Sequence, residues 1–238
     1  MRYVLAPQQK SLFDRQGFIE LASLLTPEQM EQLFSALRDL LAKRLGSTPP
    51  VSTNWPPDQL LMAGHNCWQE LPLLKKWIAN AELASIAAEL LGTSSLRLAY
   101  DQLLPSQRFG TPTLNPSVES AWQQLIREAR PLSKISSLTE PQGGWLFPLG
   151  RIDGHPSEPL PAPWSLELGS ALFFGAEWPI ELLPLLAQGG SDYLLVCYGH
   201  GRSIYLPAPN DPHRHSYKKL GYAIGDRLRD QEHPLLVR

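Results

Sequence analysis

Apolar residues between Pro27 and Leu45 recur at helical spacing: Met30, Leu33, Phe34, Leu37, Leu40, Leu41 and Leu45 fall on one face. Just before them, Thr26-Pro27-Glu28-Gln29 supplies an N-cap, a proline at the first helical position and a glutamine three residues after the cap. Gly46 stops the pattern. A second helical pattern runs from Leu71 to Leu91 through Leu74, Trp77, Ile78, Leu83, Ile86, Ala87 and Leu90. It predicts two helices broken near Asn80 and stopped at Gly92. Upstream, Ser11 to Leu25 reads as a short helix, a break at Gly17 and a strand carrying Ile19 and Leu21. Ser95 to Leu104 alternates as a strand does, with Leu96, Leu98 and Tyr100 assigned to one side. Further strands are predicted at Leu132–Leu138, at Gly143–Ile152 with an interruption at Pro148, and at Ser165–Phe174, Asp192–Tyr198 and Arg202–Leu206. Val118–Ala129 has the spacing of a short amphipathic helix, and His215 to Arg229 leaves room for one more. Gln59 to Trp68 fits no single period.

Helices come first and strands afterwards, which is the order of an α+β fold rather than of alternating βαβ units. One domain over residues 1–238 is expected, mainly helical over 1–92 and mainly β over 93–238. No internal repeat is visible. The 23 prolines demand many short elements joined by fixed loops, and Ser47–Pro57 and Asp153–Pro163 hold four each. Net charge is −2, and Lys75-Lys76 and Lys218-Lys219 read as solvated faces. No nucleic-acid partner is therefore expected, and a small molecule or a protein is. Apolar runs are too short for a membrane span, and the N-terminus lacks a basic-then-apolar leader, so a cytoplasmic protein is expected. Cys67 and Cys197 sit in apolar company and read as reduced and buried.

The densest group of possible ligands is Asp211-Pro212-His213-Arg214-His215. On a strand, His213 and His215 would share a face and Asp211 would add an oxygen, whereas the competing reading is a solvated turn. Asp153-Gly154-His155 is a second, weaker grouping in a proline-rich loop. Gly199-His200-Gly201-Arg202 has the look of an anion-cradling turn but also of a simple hairpin turn. Gly221 to Asp226 is not a dinucleotide fingerprint, and the serines near Ser133–Ser137 lack a nucleophile elbow.

Three stretches resemble the phytanoyl-CoA dioxygenase-like branch of the Fe(II)/2-oxoglutarate oxygenases. Phe13-Asp14-Arg15-Gln16-Gly17-Phe18-Ile19 with Leu24-Leu25-Thr26-Pro27-Glu28-Gln29 is similar to that family's opening. Leu90-Leu91-Gly92, Leu96-Arg97-Leu98 and Tyr100-Asp101-Gln102-Leu103-Leu104 resemble its DQLL strand. Leu168-Gly169-Ser170-Ala171-Leu172-Phe173-Phe174 resembles the strand before its distal metal histidine. The resemblance implies a double-stranded β-helix, or jelly roll, with the N-terminal helices packed on one face. It also implies a pocket for which Tyr100, Gln102, Trp145 and Glu177 are the lining candidates.

The family's chemistry needs His-x-Asp/Glu and a distal histidine, three ligands that leave positions open for 2-oxoglutarate and oxygen. The six histidines, His65, His155, His200, His213, His215 and His233, are followed two positions on by Cys67, Ser157, Arg202, His215, Tyr217 and Leu235, so no such motif exists. The segment after Phe174 is Gly175-Ala176-Glu177-Trp178-Pro179-Ile180-Glu181, without histidine. The family's lysine and arginine positions fall near Ser106 and Ser191-Asp192. The resemblance therefore implies an oxygenase scaffold that has lost iron, with no cofactor. Fe(II) and 2-oxoglutarate enter only if His155, His213 or His215 builds a rearranged site.

Overall fold

The computed structural model describes residues 3–48, 55–105, 122, 124–125, 128–150, 165–182, 185 and 191–238. Five helices lie in the first part: α1 (Pro7–Gln16), α2 (Pro27–Leu45), α3 (Pro57–Ala63), α4 (Pro72–Ile78) and α5 (Ala81–Leu91), with a 3-10 turn at Cys67–Gln69. Thr26 and Gln29 close the capping box on α2 in both directions, at 3.3 and 2.9 Å. Asn80 breaks the second helical stretch by accepting from the Glu82 amide as the N-cap of α5.

Strands β1 (Phe18–Leu21), β2 (Leu96–Leu104), β4 (Pro141–Gly150), β5 (Ala171–Gly175), β7 (Asp192–His200) and β8 (Leu235–Val237) form one antiparallel sheet. Its order is β1-β5-β4-β7-β2-β8. A second, two-stranded ladder pairs β3 (Arg130–Pro131) with β6 (Pro179–Ile180). Two further short helices are α6 (Leu132–Ile135) and α7 (Arg214–Lys219).

Side-chain alternation gives the large sheet two apolar faces. Trp145, Phe147, Phe173, Leu194, Val196 and Tyr198 cluster with Leu33, Leu37 and Leu41 of α2, Leu74 of α4 and Ile86 and Leu90 of α5. Leu146, Leu172, Phe174, Tyr193, Leu195 and Cys197 point the other way, into a second cluster with Leu132, Ile135, Ile180, Tyr205 and Tyr217. On the helix face a buried ion pair ties α2 to the start of β7. Arg38 donates to both carboxylate oxygens of Asp192, at 2.5 and 2.9 Å.

β2 changes phase partway along. Its pairing with β7 shifts register between Leu98 and Tyr100, a β-bulge. Leu96 and Leu98 therefore face the helices while Tyr100 and Leu104 belong to the opposite cluster. This corrects the assignment of Leu96, Leu98 and Tyr100 to one side.

Other expectations are also corrected. Leu132–Leu138 is not a strand, because the chain leaves β3 directly into α6. The strand expected from Ser165 starts only at Ala171, since Gly169 turns the chain at φ +88 and Ser170 Oγ caps back onto the Glu167 carbonyl. Pro148 does not break β4. Its pairing with β5 ends at Leu146, so the missing N–H has no neighbour to satisfy on that side, and Pro148 stays in register with Tyr193. Arg202–Leu206 supplies single bridges at Ile204 and Tyr205 instead of a strand. The C-terminal helix is the single short α7. Of the helix expected at Val118–Ala129, Trp122, Gln124 and Leu125 are described and helical, Glu128 and Ala129 are described and not helical, and the Asp153–Pro163 loop lies outside the described residues. Among the described residues no helix is long and apolar enough to cross a membrane.

Candidate functional site

The sheet face turned away from the helices closes over a small cavity. From β2 come Tyr100, Gln102 and Leu104, and from β7 Leu195. Leu132, Ile135, Ile180 and Leu182 form the opposite wall, and Trp122, Asp211 and His213 close one end. The free volume is about 20 Å³, room for about one water molecule.

The bulge in β2 is what turns Gln102 into this space. Its Nε2 donates to the carbonyls of Leu61 and Leu103, at 2.8 and 2.7 Å. Because both partners are acceptors, the amide has only one satisfiable orientation. Its Oε1 is buried without a donor. Next to it in sequence, Asp101 faces the other way and anchors the 3-10 turn, accepting from the amides of Cys67 at 2.9 Å and Trp68 at 3.1 Å. The DQLL tetrapeptide thus bolts β2 to the α3 region from both faces.

Asp211-Pro212-His213-Arg214-His215 is not a strand. Asp211 is buried and accepts from the Ser137 amide with one oxygen and the His213 amide with the other, both at 2.7 Å. His213 caps the start of α7 and is buried, while His215, about 200° further round at helical pitch, is exposed. The shared-face reading of His213 and His215 is therefore corrected. The histidine that does meet His213 is His65, whose ring stacks on it at 3.9 Å with a 16° interplanar angle. Tyr100 and Trp122 approach the His213 ring at 4.5 and 5.0 Å. His65 Nδ1 lies 3.4 Å from the Ser216 hydroxyl, and its Nε2 is buried and unpartnered.

Of the pocket-lining candidates, Tyr100 and Gln102 lie on the cavity. Trp145 does not, because the parity of β4 sends it to the helix face against Phe173, at 4.7 Å. Glu177 is exposed in the turn after β5, as is Glu181 beyond β6. His155 and Asp153 lie outside the described residues. His200 sits at a hairpin turn, its Nδ1 3.2 Å from Glu140 and accepting from the Arg202 amide. A Cβ on Gly201 would stand 2.0 Å from Ser95 Oγ, so close packing accounts for that glycine without an anion.

These residues do not fit the iron of the related chemistry. In the segment Gly175–Glu181, Pro179 is exposed, and Ile180 is buried in one apolar cluster with Leu132, Ile135 and Leu182. Among the described residues no three His, Cys, Asp or Glu side chains converge as a metal site. The two stacked imidazoles lie in planes only 16° apart, so their in-plane lone pairs run in nearly parallel planes and do not meet at a common point. Both oxygens of Asp211 are already committed to backbone amides. Asp192 lies on the opposite face of the sheet, held by Arg38.

Burial governs the titration of this region. It lowers His213 from 6.5 to about 3 and drops His65 well below 6.5, assisted by the charges of His213 and Arg44. His233, whose Nδ1 donates to the Ala99 carbonyl at 2.8 Å, is lowered to about 4, again mainly by burial. Each contributes stability that is complete above pH 6.5 and is lost as the pH falls toward its folded value. Asp101 runs the other way: burial raises it from 3.8 to about 7, so its contribution is complete below pH 3.8 and lost as the pH rises through 7. Burial raises Asp211 above 3.8 as well, with the same sign, but three imidazoles outweigh two carboxylates between about pH 7.5 and 5, each pKa unit being worth about 1.4 kcal/mol. The melting temperature is expected to fall from pH 7.5 to pH 5, and His213→Phe to shrink the difference. A melting temperature that is flat or rises on acidification would overturn this account.

No protein-family profile and no curated protein matches the sequence. Solved structures do match its fold. The non-heme α-ketoglutarate-dependent carbocyclase SnoK from nogalamycin biosynthesis superposes over 98% of this chain and 97% of its own, with TM-score 0.66 and 15% identity. The α-ketoglutarate-dependent epimerase SnoN from the same biosynthesis covers 96% and 97%, with TM-score 0.57 and 15% identity. CytC3, solved with Fe(II) and α-ketoglutarate, covers 87% and 82%, with TM-score 0.59 and 12% identity. The chain thus has the mostly antiparallel, cupin-like fold of the 2-oxoglutarate oxygenases.

Proposed function

We propose that this chain is a jelly-roll protein of the phytanoyl-CoA dioxygenase-like branch, acting in the cytoplasm, in which the iron centre has given way to hydrocarbon. On this reading it is a ligand- or partner-binding protein rather than an oxygenase. The observation that carries the reading is Ile180. It occupies the segment where the distal histidine is expected and packs with Leu132, Ile135 and Leu182 over the cavity. The sequence reinforces it, since no histidine lies between His65 and His155, the span in which the first ligand motif should fall. Hydrocarbon side chains offer a divalent cation no donor, and placing one among them carries the full desolvation cost.

Protein purified without chelator is expected to carry substoichiometric iron, and titration with Fe(II) and 2-oxoglutarate to give no succinate. Stoichiometric iron, or 2-oxoglutarate turnover abolished by His213→Ala or His215→Ala, would replace this reading with that of an oxygenase using a rearranged site.

A further inference from the structure

Beside the His65–His213 stack the same face opens outward in a cleft of about 380 Å³, within the usual size range of small-ligand sites. Its wall is apolar and rich in rings: Met62 is 61% exposed, and Trp122, Pro212 and the two stacked imidazoles continue the surface. Its rim is cationic. Arg214 and Lys219 both border the cleft, and among the described residues neither takes part in an ion pair. Arg214 is held in place by its donations to the Pro209 carbonyl at 2.9 Å and to His215 Nε2 at 3.3 Å, which leaves its second terminal nitrogen uncommitted. Two acids also border the cleft. Asp211 is spent on backbone amides, and Asp58 is engaged in an interaction of its own. At the floor, His65 Nε2 is buried and lacks a partner.

We infer that this cleft binds a small planar carboxylate, its ring or unsaturated body against Met62, Trp122 and the imidazole stack and its carboxylate against Arg214 and Lys219. Apolar wall and cationic rim act on different parts of one molecule. A bare anion gains only the screened charge term, and a neutral ring only the burial term. Arg214 favours a carboxylate because its free terminal nitrogen adds a charge-assisted hydrogen bond to the attraction of the cation. The inference rests on the reading above only in that His213 is not a metal ligand.

The test is calorimetric titration of the full chain at pH 7.5 with benzoate, benzamide, acetate and 2-oxoglutarate. Benzoate is expected to bind at about millimolar or tighter, and benzamide and acetate each about tenfold more weakly or not at all. The double variant R214Q/K219Q is expected to lose about tenfold in benzoate affinity with an unchanged melting temperature, because both side chains lie at the surface. High salt is expected to weaken binding in the native protein and not in the variant. Absence of benzoate binding, equal binding of benzamide, preference for 2-oxoglutarate, or an unchanged R214Q/K219Q would overturn the inference. Failure with benzoate in protein free of iron sinks this site alone. Stoichiometric iron dependent on His213 sinks the reading of the interior as well.

Discussion

Replacing Arg38 with methionine is expected to cost about 3–5 kcal/mol of stability, the usual penalty for stranding one member of a buried ion pair. Asp192 is fully buried, and Arg38 holds both of its oxygens from helix α2. Removing the guanidinium takes the ion-pair partner from a fully buried carboxylate, which favours its protonation or the entry of water. The pair also sets geometry, because it fixes the middle of α2 to the first residue of β7, 154 positions away in sequence. A second replacement separates these roles. R38M/D192L removes both charges and is expected to recover most of the loss. Urea unfolding followed by tryptophan fluorescence reads both variants. A single variant within about 1 kcal/mol of native would show that the pair is dispensable.

Gly143→Ala is expected to be comparably damaging, at about 3–5 kcal/mol. A Cβ at this position would stand 2.2 Å from the Phe174 carbonyl oxygen and 3.2 Å from the Gly175 Cα, both rigid backbone atoms of β5. The φ of +154 adds conformational cost for any L side chain. Gly143 pairs with Gly175 on one side and Tyr198 on the other, so relief of the clash would have to pull β4 from the middle of the sheet. Gly46→Ala is the control. Gly46 has a positive φ of +64 but nothing within 4 Å of the added carbon, so only the left-handed backbone cost of about 1–2 kcal/mol applies. Equal losses in the two variants would refute the close-packing account.

The helical half was legible because its signals are local. The capping box at Thr26 and Gln29, the N-cap at Asn80 and the glycines at 46 and 92 act within one or two turns, and the helices α2 and α5 stop where these residues stand. The strands were legible as existing but not in their facing. Strict alternation puts Tyr100 on the side of Leu98, and the bulge that reverses it is a property of the β2–β7 pairing. The facing of Trp145 is hidden for a related reason: the middle of β4 is buried on both faces and apolar throughout, so no pattern reveals which face meets the helices.

His65 shows the limit most clearly. It lies in Gln59–Trp68, a stretch with no dominant period, and its partner His213 follows 148 positions later by sequence number. The visible signal, two histidines spaced by one residue at 213 and 215, suggested the wrong pair. What the sequence alone determined is the order of helices and strands, their caps, and the lack of any His-x-Asp/Glu motif, all of which depend on neighbours along the chain. The tertiary structure alone decided which side of β2 lines the cavity, that Ile180 takes part in closing it, and that His65 stacks on His213 beside a cationic cleft. Those outcomes depend on strand register and on contacts between distant segments, and the hydrophobic pattern of one segment carries no information about the phase of another.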